Sequence, residues 1–260
     1  MLYNENMKPG RNWLFFPPLC LALLLSPAAW AFHVILDPGH GGNDRGTTRG
    51  FTQEKDITLE VSKVIRQEML RQGWQVSLTR EKDRFVSLQD RTEIAEKKSA
   101  DLFISIHVNS SPDKKVRGFE VYFQNPLPAD EESLFLAARE EFYFQKTTTQ
   151  NDPNKKADVL SIVEDLHRQV DVRRSHILSR TLSEQLSENA GKTVVRQAPY
   201  YVLLKSSTPS VLLELGYLTH DQDREKLKDP QYHQWVAARL TEGVKNFKEM
   251  MDKSKSPSLK

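Results

Sequence analysis

Five short apolar runs, at residues 33–36, 75–78, 102–106, 119–123 and 211–215, alternate with segments of helical period, and this alternation constrains the fold most. Each run is too short for a helix and carries little polar alternation, so it reads as a strand buried on both faces. Pro38-Gly39 ends the first run. Between the strands, Ile57, Val61, Val64, Ile65 and Met69 recur at helix spacing, as do Leu88, Ile94 and Ala95, and later Val236, Leu240, Val244 and Phe247. Strands alternating with helices predict an α/β fold: three layers, a mostly parallel twisted sheet with helices on both faces.

In an open sheet of this kind, reactive groups gather beyond the carboxyl ends of the strands. His40, His107 and Glu214 each fall at or just past the end of a predicted strand, and Glu54 at the start of the first helix. Two imidazoles and one carboxylate, with a fourth position left for water and a second carboxylate to move protons, make up a catalytic zinc site. Singly, each has a plainer reading: loop histidine for His40, strand-end histidine for His107, favourable helix-start charge for Glu54. Glu214, inside Val-Leu-Leu-Glu-Leu-Gly, is different, because a buried carboxylate is costly unless paired, protonated or metal-linked.

The segments Val34–Gly42, Glu54-Lys55-Asp56, Leu78-Thr79-Arg80, Ala100–Asn109, Gly118–Tyr122 and Pro209–Leu218 together resemble, in order, the bacterial zinc-dependent N-acetylmuramoyl-L-alanine amidases of the cell-separation type. The resemblance covers Val34 to about Phe247 and implies a zinc-exopeptidase-like fold. It implies His40, Glu54 and His107 as zinc ligands and Glu214 as the catalytic carboxylate. One departure is Gly216-Tyr217-Leu218-Thr219-His220, where the family usually has Gly-Phe-Leu-Ser-Asn. His220 is therefore a candidate for touching substrate, beside a surface-loop reading. Asp37, Asp56 and Asn109 are candidates for orienting ligands or meeting substrate, and Arg80 and Arg91 for bracing the site loops through carboxylates.

Lys8 and Arg11, the apolar stretch from Trp13 and the small-residue end Ala29-Trp30-Ala31 have the layout of a signal peptide, residues 1–31. An uncleaved anchor is the alternative, against which Pro17, Pro18 and Pro27 count. The single cysteine, Cys20, lies within that leader, so no disulfide framework is expected. The formal charge of +2 falls to +1 once Glu5, Lys8 and Arg11 leave, with no basic stripe for nucleic acid and no further membrane span expected. A periplasmic or cell-envelope location follows.

Residues 32–252 are expected to form the catalytic domain, with a helical insertion at 126–174 split by the polar run Gln150–Lys156, and a disordered tail at 253–260. In related amidases an insertion here covers the site until a protein activator, often with a degenerate metalloprotease-like domain, displaces it. By that resemblance Glu140, in Ala-Arg-Glu, is a candidate autoinhibitory zinc ligand, with Glu141 the near alternative, against a plain reading as a solvated acidic helix face. The expected reaction is hydrolysis of the amide joining the lactyl group of N-acetylmuramic acid to L-alanine in peptidoglycan, with Glu214 taking a proton from zinc-activated water. The alternatives are a zinc carboxypeptidase-like hydrolase and an inactive wall-binding scaffold.

Overall fold

The structure, a computed structural model, describes residues 31–124, 159–190 and 193–255. In chain order the strands are β1 (His33–Pro38), β2 (Thr48–Arg49), β3 (Thr52–Gln53), β4 (Gln75–Leu78), β5 (Leu102–Asn109), β6 (Glu120–Phe123), β7 (Val194–Gln197) and β8 (Ser210–Tyr217). The helices are α1 (Glu54–Arg71), α2 (Leu88–Lys97), α3 (Val159–Ala190), α4 (Tyr201–Leu204), α5 (Asp221–Leu227) and α6 (Pro230–Lys255). Six strands form one sheet in the order β4-β1-β5-β8-β6-β7. The first four run parallel, whereas β6 is antiparallel to β8 and parallel to β7. The expected mostly parallel sheet, covered on both faces, is what forms.

Strand alternation divides the core in two. Leu102, Ile104, Ile106 and Val108 of β5, with Val211, Leu213 and Leu215 of β8, face a large cluster built with Ile57, Val61, Ile65 and Met69 of α1, Leu178 and Leu182 of α3, and Val236, Leu240 and Val244 of α6. Each of these side chains, fully buried, contributes about 1.5–3 kcal/mol. The intervening positions Ile35, Phe103, Tyr122 and Leu212 face a smaller cluster with Ala95 of α2 and Val202 and Leu203 of α4. By the period of two, Asp37, Ser105, His107, Glu120 and Glu214 point to that second face. Its helices are short, 10 residues in α2 and 4 in α4, so among the described residues the polar positions toward one end of this face have no long helix above them.

Several boundaries differ from the sequence reading. β5 continues past Ile106 to Asn109, which places His107 within the strand rather than after it, and β8 continues past Leu215 to Tyr217. The strand β7 was not expected, because Val194–Gln197 is a half-buried edge with no continuous apolar signature. The hairpin β2-β3 was not expected either. α3 runs unbroken past Arg174, so the expected end of the insertion is not an element boundary, and α6 extends through Lys253 to Lys255, into the expected tail. Residues 1–30, 125–158, 191–192 and 256–260, which include the expected leader up to Trp30 and Glu140, lie outside the described residues. Among the described residues no helix is long and apolar enough to cross a membrane.

Candidate metal centre

The turn after β1 is built to bring His40 back toward the sheet. His40 adopts a left-handed conformation (φ 60°), unusual for a residue with a side chain. It is held there by Arg91 Nη2, which donates to the His40 carbonyl at 2.9 Å, and by the paired backbone bonds of Gly41 and Asp44. Such a conformation persists only where the surroundings over-determine it. Two glycines make room. A Cβ on Gly39 would lie 2.5 Å from the His107 ring, and one on Gly46 would lie 2.6 Å from both Glu54 Oε2 and the His40 ring.

The three side chains then meet. His40, Glu54 and His107 are buried, and one donor atom from each lies within 4.8 Å of the others. His40 Nδ1 donates to Asp44 Oδ2 at 2.8 Å, so its Nε2 faces Glu54 Oε1 at 3.2 Å. His107 Nδ1 approaches the same Oε1 at 3.1 Å. Glu54 is aimed by backbone donors, Val108 N to Oε1 and Thr47 N to Oε2, both at 2.8 Å. Burial alone would raise the Glu54 carboxyl, but the neighbouring imidazoles of His40 and His107 outweigh it and hold it below the ordinary range. The group is thus a carboxylate between two imidazoles, with the far nitrogen of His40 fixed by Asp44. That donor set fits a divalent zinc ion, including the carboxylate behind a ligating histidine that zinc sites commonly use.

Glu214 stands beside this group. In the sheet it is registered opposite His107 on one side and Glu120 on the other, and it is 4% exposed. Glu120 in turn is held by Asn109 Nδ2 (2.9 Å), Tyr122 Oη (2.7 Å) and Arg196 Nε (2.9 Å). Burial, then the nearby Tyr200, Glu120 and Glu214, push the Tyr122 phenol far up, which keeps it a donor. Behind the site, Asp37 accepts from Thr79 Oγ1 (2.6 Å), Arg91 Nη1 (2.7 Å) and Ser105 Oγ (2.8 Å). Arg80, fully buried, donates to the carbonyls of Pro38, Gly39 and Lys55 at 2.7–3.0 Å. Burial first, and then the charge of Arg91, lower it to about 10, so it stays cationic at neutral pH.

The sequence model of the N-acetylmuramoyl-L-alanine amidase family matches residues 34–246, the whole span that carries this site. The chain belongs to that family. The amidase AmiA of Escherichia coli K12 is 32% identical over 87% of this chain and 80% of its own length. The solved structure of amidase AmiC2 from Nostoc punctiforme is 30% identical with a TM-score of 0.60, covering 84% of this chain and 97% of that one. An amidase structure from Clostridium difficile 630, at 24% identity and a TM-score of 0.63 over 88% of this chain and all of that one, shares the fold.

Within this amidase the sequence candidates sort by what they touch. His40, Glu54 and His107 converge, with Glu214 on the strand next to His107. Asp37 does not touch a ligand side chain; it acts through Arg91, which also bonds the carbonyls of Pro38 and His40. Asp56 is exposed in the first turn of α1. Asn109 donates from Nδ2 to Glu120 Oε2. His220 caps α5, its Nδ1 accepting from Asp223 N at 3.3 Å, a role that asparagine also fills well. Arg80 braces the loops through carbonyls, not carboxylates. Asp44, Glu120 and Arg196 were missed. The signal for Asp44 was an acid one turn past His40 among glycines, and for Glu120 a Glu-x-Tyr pair on a buried strand.

Proposed function

We propose that the chain is a zinc-dependent hydrolase of the amide between the lactyl group of N-acetylmuramic acid and L-alanine of peptidoglycan, acting in the cell envelope during daughter-cell separation after loss of residues 1–31. The observation that supports this best is the buried His40, Glu54 and His107 donor group with Glu214 registered on the strand beside it. Those three residues would hold the ion, and a bound Zn2+ supplies a Lewis acid that acidifies water and polarises a carbonyl.

The remaining chemistry belongs to the chain. Glu214 accepts the proton of the attacking water and returns it to the departing alanine nitrogen, which leaves readily only once protonated. Asp44 fixes the tautomer and aim of His40, and Thr47 N and Val108 N fix the carboxylate of Glu54. Arg91 and Arg80 hold the carbonyls of the His40 turn, so the ligand loop is rigid before substrate arrives. Glu140, on sequence grounds, is the residue that blocks the resting site until an activator withdraws it.

A carboxypeptidase needs a cation to clamp a terminal carboxylate. Arg80 and Arg91, the arginines behind the ligand loops, are buried and turned onto carbonyls and Asp37, which argues against that alternative. The intact donor group argues against an inactive scaffold. The test is digestion of purified sacculi with and without chelator, with mass analysis of the soluble products. Intact stem peptides beginning at L-alanine are expected, and Glu214→Gln should release them at least about 100-fold more slowly while keeping its fold. Release of single carboxyl-terminal residues instead would move the assignment to a carboxypeptidase.

A further inference from the structure

Among the described residues, the exposed large hydrophobic side chains include two aromatics, Phe51 and Phe85. Leu70, Val170 and Met250, the aliphatic members of that group, lie on the outer surfaces of α1, α3 and α6. Both aromatics instead lie on segments bonded directly to the ligand loops. Phe51 is fully exposed at the tip of the hairpin β2-β3, whose next residue after β3 is Glu54. Three residues span at most about 11 Å, so the ring is carried within that backbone reach of a ligand.

The hairpin is tight and well anchored. Gly50 takes φ 63° in a two-residue Gly-Phe turn, and a Cβ there would meet nothing within 4 Å. The glycine therefore serves the backbone conformation of a short hairpin rather than packing. At its base, Glu54 N donates to Thr47 O at 2.9 Å and Thr47 N to Glu54 Oε2 at 2.8 Å. Phe85 is half-exposed in the loop between β4 and α2, which docks on the His40 turn. There Gly42 N donates to Asp83 Oδ1 at 2.7 Å, and Lys55 Nζ joins Asp83 Oδ2 (2.7 Å) to Gly42 O (2.9 Å).

We propose that Phe51 and Phe85 form stacking platforms for sugar rings of the glycan strand that carries the scissile amide, and so make this site selective for polymeric over short substrates. The proposal rests on the amidase reading, which places a sugar on the acyl side of the bond. A sugar ring presents an apolar C–H face that an aromatic ring covers well while the rim hydroxyls stay in water. A protein partner would instead call for a contiguous apolar patch of some hundreds of Å². Phe51 stands alone among exposed Thr48, Arg49 and Gly50, which suits single rings.

The experiment compares Phe51→Ala, Phe85→Ala, the double variant and Phe51→Tyr on a polymeric peptidoglycan fragment and on a single N-acetylmuramoyl peptide. Both side chains are exposed, and unchanged melting confirms folding. The expected result is a fall of about tenfold in the ratio of kcat/KM for polymer over monosaccharide in the double variant, through KM, with Phe51→Tyr close to wild type. A parallel assay measures pelleting with peptide-free insoluble glycan, which the double variant should lose in the Glu214→Gln background. If neither wild type nor Glu140→Ala hydrolyses either substrate yet pelleting depends on the rings, the amidase reading fails and the glycan platform stands. An unchanged ratio together with unchanged pelleting overturns the platform, as does loss of activation by a protein partner with no change in either.

Discussion

Replacing Asp37 by asparagine tests the idea that a buried ion pair behind the sheet edge holds the ligand loop. Asp37 and Arg91 are 1% and 4% exposed at their side chains and meet at 2.7 Å. Arg91 also donates to the carbonyls of Pro38, His40 and Val86, so one guanidinium ties β1, the ligand turn and the start of α2 together. Asparagine keeps one acceptor oxygen, enough for Thr79 or Ser105 but not both as bonded now, and leaves the Arg91 charge buried without its counter-ion. Breaking a buried pair from one side costs about 3–5 kcal/mol. For a domain of this size the urea slope is about 2–3 kcal/mol per M, so the midpoint should drop by about 1–2.5 M. The measurement is urea unfolding at pH 7 in chelator, which removes any contribution from metal.

The pH dependence has a fixed sign. Burial would raise the Asp37 carboxyl, but the charge of Arg91 and bonds from Thr79, Arg91 and Ser105 outweigh it and lower it. A lowered carboxyl stabilises the fold fully above its unfolded value of about 3.9, and the contribution is lost as pH falls through the folded value. The gap between wild type and Asp37→Asn should therefore be flat from pH 6 to 8 and narrow below about pH 4. A loss under about 1 kcal/mol at pH 7, or a gap that ignores acid, would refute the role given to this pair.

Purified protein should carry about one zinc per chain, lost in both His40→Ala and His107→Ala, and retention of full stoichiometry in both variants would dismiss the donor group. Gly46→Ala should weaken metal binding, because its Cβ would strike Glu54 and His40, whereas Gly73→Ala, at φ 76° with nothing within 4 Å, should cost about 1–2 kcal/mol of stability and leave the metal untouched. Equal metal affinity in the two variants would count against the close packing described. Glu140→Ala should raise basal sacculus hydrolysis; a folded variant at or below the wild-type rate would end the autoinhibition proposal.

Periodicity in the chain was enough for the layered fold. Continuous apolar runs cannot be satisfied except under cover on both faces, and the stripe Ile57, Val61, Ile65, Met69 has one amphipathic solution. Of the four candidate site residues only Glu214 stood out from the residues themselves, because a carboxylate in an apolar strand is an expensive placement that needs a partner, whereas His40, Glu54 and His107 each had a plainer local reading and were picked out by the family resemblance. Local pattern could not say which carboxylates meet which donors. Whether Asp37 or Asp56 lies behind the ligands depends on the sheet register that puts Ser105 opposite Asp37, and on the helix turn that leaves Asp56 in water. Glu120 joins Glu214 only because β6 enters the sheet antiparallel, a pairing between residues almost a hundred positions apart. Contacts of that range are set by chain topology, which no window of sequence contains, and so Asp44, Glu120, Arg196 and the exposed ring of Phe51 became functional candidates only in three dimensions.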